Sequence, residues 1–201
     1  MGENAAKKED SKGDTKNALS IEAIQKQIDE LKNQMQSLSN ANPENKISMI
    51  VFSGELDKVL ASMVIATGAV AMGMEVVMFF TFWGTTVLRA KNKNVGGKDM
   101  MGKMFGAMLP KGTSQVKLSK MNMGGMGTAM MKSLMKKKNV ASLEEMLELA
   151  EELGVRIVIC EMSMDLMGFK QEEMIDYAHL SFGGVASYLQ EAQTSKVQLF
   201  I

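Results

Sequence analysis

The chain is 201 residues long, 46% apolar, with 23 basic and 23 acidic residues, so its formal net charge is zero. That length suits one domain with an appendage, and the composition supplies a core. One cysteine excludes an intramolecular disulfide framework and a cysteine-based metal centre, and one histidine excludes a multi-histidine zinc site.

Residues 1–18 are polar and charged, with almost nothing to bury, and are expected to be disordered. They contain no apolar core of a secretory signal, which leaves the cytoplasm as the default compartment. Residues 19–40 form a separate element. Ser20 is placed as an N-cap, and Ile21, Ile24, Ile28, Leu31, Met35 and Leu38 recur at alternating spacings of three and four. That is a heptad seam. An amphipathic helix lying on its own domain would share the pattern, but the narrow stripe favours a short coiled coil between subunits. Isoleucine at both a and d positions favours a trimer over a dimer.

Residues 40–45, with Pro43, read as a linker. A strand is expected over 46–52, ending at Ser53-Gly54. A helix follows over 57–72, stopped by Gly73, with Asp57 as an N-terminal acid. A buried strand over 75–82 ends at Trp83-Gly84, and another helix starts over 85–91. Residues 59–83 are apolar enough to suggest a membrane span. Gly68, Gly73 and Glu75 interrupt them, which fits a helix followed by a strand better.

Residues 91–140 break the rhythm, holding ten of the 22 methionines and eight of the 18 glycines. The zero net charge also hides a block here: residues 89–138 carry twelve Lys/Arg against one acid, Asp99. Met100, Met101, Met104 and Met108 are at helical spacing, and residues 130–136 suit a helical turn or two. Methionine adapts to irregular surfaces, so gap-filling at a subunit contact is one reading. A lid or docking arm for a membrane surface or an acidic partner is a second. A thioether Cu(I) site at Met121, Met123 and Met126 is the least favoured, and no metal or cofactor is assigned. Nucleic acid is not expected, because Phe105 is the block's one aromatic for stacking. The glycines at 96–97 and 124–127 do not form a phosphate-binding fingerprint.

Ser142-Leu143-Glu144-Glu145 is a capping box opening a helix that Gly154 closes. An apolar run over 155–159 leads to Cys160. Beyond it come a loop over 161–168, a helix near 171–177, a strand over 180–182 reaching Gly183-Gly184, a helix over 185–192 and a last strand over 197–201. Strands alternating with helices define an α/β class with a mostly parallel sheet of about five strands.

Cys160 stands where such a sheet presents its carboxyl edge, the usual place for ligands and chemistry. A lone thiol there is either an inert core residue or the working atom. Glu161 and Asp165 are anionic neighbours that oppose thiolate formation when they face the sulfur. Ser53-Gly54 and Trp83-Gly84 end two other strands at the same edge and are candidate walls of a cysteine pocket. Met162 and Ser163, just past the thiol, join them. Both pairs also suit ordinary turns. His179 is assigned a structural or surface role.

These segments resemble the DsrE/DsrF-like (DsrE/DsrF/DrsH-like) family over residues 46–201. The specific part is Cys160-Glu161-Met162-Ser163-Met164-Asp165-Leu166-Met167-Gly168. The opening strand and loop 47–54, the run 79–84 and the tail 183–189 with 199–201 support it. The resemblance implies a three-layer α/β/α fold, oligomerisation, and sulfur relay in which Cys160 carries sulfur as a persulfide and exchanges it with a small sulfur-carrier protein. Some relatives carry a second cysteine and this chain does not, so no resolving thiol exists within it. The competing reading is a non-catalytic assembly or redox-regulatory module that binds through the coil and the Met-rich arm.

Overall fold

The protein is described by a computed structural model over residues 24–34, 43–93, 95–98 and 100–201. Residues 24–34 form a helix, α1, with Ile24, Ile28 and Leu31 exposed. The expected disordered tail, and the seam positions Ile21, Met35 and Leu38, lie outside the described residues.

Pro43–Ile201 is a compact unit of its own. Its strands are β1 Glu44–Val51, β2 Glu75–Phe80, β3 Arg156–Cys160, β4 Leu180–Gly183 and β5 Ser195–Phe200. They form one five-stranded sheet in the order β4-β3-β2-β1-β5, with every neighbouring pair parallel. Successive strands step one way from β1 to β4. The last connection then returns across the sheet to set β5 beside β1. The strand order therefore reverses between β1 and β5, and a crevice opens there at the carboxyl edge.

The period-two alternation of the strands sorts side chains onto two faces. Ile47, Met49, Val51, Val76, Met78, Phe80, Ile157 and Ile159 pack with the apolar residues of α2 (Leu56–Ala71) and α5 (Leu143–Glu152) in the main core. Phe79 and Cys160 face the other way and pack with Tyr188 and Ala192 of α7 (Val185–Thr194). Helices thus cover both faces, giving the expected three layers. The capping box of α5 forms: Ser142 Oγ accepts from Glu145 N, and the Glu145 carboxylate accepts from Ser142 N. Among the described residues no helix is long and apolar enough to cross a membrane.

Three local expectations are corrected. The helix expected over 85–91 is a 3₁₀ helix, Phe82–Leu88. Thr85 and Thr86 donate their hydroxyls to the carbonyls of Phe82 and Trp83, a local bonding that competes with an α-helix. The helix near 171–177 is only a 3₁₀ turn, Gln171–Glu173. There Glu173 turns inward to buried cations, and Met174 bridges to Arg89 in extended conformation. The loop over 161–168 is a helix, α6 Glu161–Met167, ended by Gly168 at φ 64°. The Met-rich segment is ordered into α3 (Met100–Met108) and α4 (Met126–Lys137).

Candidate functional site

Cys160 ends β3, and its extended backbone (φ −69°, ψ 111°) starts α6. Opposite it in the ladder stands Gly183, directly before α7. Cys160 is 3% exposed, in the small apolar cluster with Phe79, Tyr188 and Ala192. A side chain at Gly183 would meet Ser187 Oγ at 2.6 Å, so glycine lets the first turn of α7 close onto the end of β4. The acidic neighbours Glu161 and Asp165 are both exposed.

The two candidate turns are pressed together. A Cβ at Gly54 would stand 2.5 Å from the Trp83 carbonyl oxygen, and one at Gly84 would stand 2.2 Å from that of Val51. Gly84 N donates to Phe52 O at 2.9 Å, closing the contact. Ser53, Gly54 and Trp83 then line a cleft of 740 Å³ together with Phe52, Phe200, Leu109, Pro110 and Lys58. The cleft sits at the β1/β5 reversal. Cys160 does not line it. The thiol's strand is separated from β1 by β2, which places the two strand ends about 10 Å apart.

Met162 is exposed on α6, whereas Ser163 is fully buried. Ser163 Oγ lies 2.8 Å from Thr81 Oγ1 and accepts from Phe82 N at 3.0 Å. It ties α6 to the exit of β2, beside the thiol. Thr81 has no distinguishing sequence context, and only the pairing across 82 residues reveals it. Asp57 lies in the first turn of α2 and accepts from Ser119 N and Oγ at 2.8 and 2.5 Å, so it anchors a loop. His179 lies edge-on to Tyr177, and its carbonyl accepts from Ile157 N.

A second buried centre escaped the sequence reading. Arg89, 2% exposed, faces Glu173 at 3.6 Å and lies over the Phe169 ring at 4.4 Å. It also donates to the carbonyls of Gly106, Leu109 and Pro110, holding the end of α3 against the cleft. Lys98 pairs with the same Glu173 carboxylate. Among the described residues no group of three or more His, Cys, Asp or Glu is placed to hold a metal ion.

The fold and site define an open parallel α/β protein with its one thiol at the carboxyl edge of an interior strand. The chain belongs to the DsrE/DsrF/DrsH-like family, whose profile matches residues 43–200. It is 44% identical over 156 residues to "Uncharacterized protein YrkE" of Bacillus subtilis, covering 78% of this chain and 96% of that one. It is 35% identical over 159 residues to "Sulfur carrier protein DsrE2" of Allochromatium vinosum, covering 79% and 99%. Among solved structures it is similar to the ychN protein of E. coli, at 12% identity and a TM-score of 0.47, over 78% of this chain and 98% of that one.

Proposed function

We propose that this protein is a sulfur carrier in which Cys160 holds sulfane sulfur as a persulfide. The observation that carries the reading is the position of the chain's sole thiol, at the end of β3 inside the family match. A relative named as a sulfur carrier supports it. In the loading step, the Cys160 thiolate attacks the outer sulfur of a donor persulfide. A Cys160–sulfur bond forms, the donor's sulfur–sulfur bond breaks, and the donor leaves as a thiolate. Unloading repeats the exchange with an acceptor thiolate. Neither step consumes an oxidant or a reductant, and neither needs a second thiol in the chain.

At 3% exposure, the sulfur must be uncovered for either exchange. The element packed over it is α7, through Tyr188 and Ala192, joined to β4 through Gly183-Gly184. Motion there is the access step in this reading. A donor such as a low-molecular-weight persulfide should add the mass of one sulfur to the intact chain and nothing to Cys160→Ala. Absence of the adduct, or its persistence in the variant, overturns the reading.

The same burial favours a second reading, a non-catalytic assembly or redox-regulatory module in which Cys160 is core packing or a redox sensor. Labelling the native chain with a small maleimide separates the two. A Cys160 that reacts only at the global unfolding rate supports the second.

A further inference from the structure

We propose that the groove between α2 and α4 binds the tail of a free long-chain carboxylate, whose head is held by Lys132 and Lys136. Two cavities carry this. One, of 510 Å³, runs between the two helices, with walls of Leu60, Val64, Ile65, Leu118 and Met131. The other, of 740 Å³, lies between the end of α4 and the start of α5, where Lys132, Lys136, Asn139 and Ser142 line it. Leu56, Met135 and Val140 line both, so the two adjoin. Each volume falls in the ordinary range of small-molecule sites. Leu56 and Met135 are buried and form a floor, while Val64, Met131 and Val140 are exposed at the rim. A helix exposed to water on one side normally shows charged residues there, yet α2 has none after Lys58. The groove's one charged residue, Asp57, already accepts from Ser119 N and Oγ. Exposed apolar surface in a groove of this kind marks a binding site.

Charge decides what fills it. Lys132 Nζ donates to Ser114 O at 2.8 Å, which leaves two of its three protons for a ligand. Burial, and then the like charge of Lys91, push the Lys132 ammonium below its ordinary value, so an added anion is favoured there. The neighbouring carboxylates are engaged elsewhere. Glu144 faces Lys91 at 3.6 Å, and Glu145 accepts from Ser142 N. An apolar trough that ends at two cations matches a single tail with one negative head. A flat anionic membrane would meet the exposed Glu144 and Glu145 together with the lysines, and would not reach the buried floor. Cys160 packs under α7 on the other face of the sheet, so this site is independent of the sulfur chemistry.

The test titrates the whole chain with cis-parinaric acid, a fluorescent long-chain carboxylate, below its micelle concentration. Saturable binding is expected, with displacement by dodecanoate. Val64→Asp sets a charge at the rim and should weaken binding about tenfold, whereas Leu189→Asp, at an exposed apolar position on α7, should leave it unchanged. Lys132→Gln with Lys136→Gln should weaken the carboxylates about tenfold. Dodecanol, which has the tail without the charge, should compete equally well in wild type and in this double variant. No saturable binding, equal weakening by Val64→Asp and Leu189→Asp, or equal weakening of carboxylate and alcohol in the lysine variant overturns the proposal. So does binding to phosphatidylglycerol vesicles in place of the free carboxylate.

Discussion

Gly84 shows how tightly the cleft is built. An alanine there would bring its Cβ within 2.2 Å of backbone, at the Val51 carbonyl oxygen, so two loops would have to part. Gly84→Ala should destabilise the domain by about 1–3 kcal/mol, the usual cost of overpacking. Gly68→Ala, with open space around it and helical backbone, should stabilise by up to ~1 kcal/mol. Urea midpoints of the two variants check both signs. The contrast also marks what was legible at this scale. Ser53-Gly54 and Trp83-Gly84 stood out because glycine punctuates strand ends, and the structure brings the two turns together. The Thr81–Ser163 contact beside Cys160 did not, because two ordinary hydroxyl residues meet only through the parallel register of β2 and β3.

α7 is the element that covers Cys160, and an ion network holds its far end. Arg156 donates to Glu191 at 2.7 Å, Lys46 donates to the same carboxylate at 2.8 Å, and Glu75 joins through Arg156. The Arg156 hydrogen bond, then that of Lys46, holds the Glu191 carboxyl down at about 2, from an ordinary 4.5. A carboxyl whose folded value is depressed stabilises fully above its unfolded value and loses that contribution as pH falls through the folded one. Wild type should therefore be more stable than Glu191→Gln at neutral pH. The gap should begin to close below about 4.5 and vanish as the pH reaches about 2. Chemical denaturation across that range measures it; a gap that is constant with pH would show that Glu191 acts by packing alone. Strands and long helices were legible because periods of 2 and 3.6 are local. The short elements were not. α6 spans seven residues, too few to establish a period, and the turn Gln171–Glu173 is set by Glu173 meeting Arg89 and Lys98 from distant sequence.

At the scale of the whole molecule, the seam on α1 is an apolar surface that needs cover, with Ile24, Ile28 and Leu31 55%, 42% and 63% exposed. An isolated helix of fewer than about 12–15 residues is marginal in water, so burial of this stripe is what would sustain it. Of the positions flanking this stripe, Gln25, Gln27 and Gln34 are uncharged and Lys32 carries a charge. Ile24→Asp with Ile28→Asp places two charges in the seam of every copy. The expected result is a fall in the mass measured by light scattering, together with a loss of helical ellipticity sized to this one helix. An unchanged mass with the same loss of helix would mean that the seam is satisfied within its own chain.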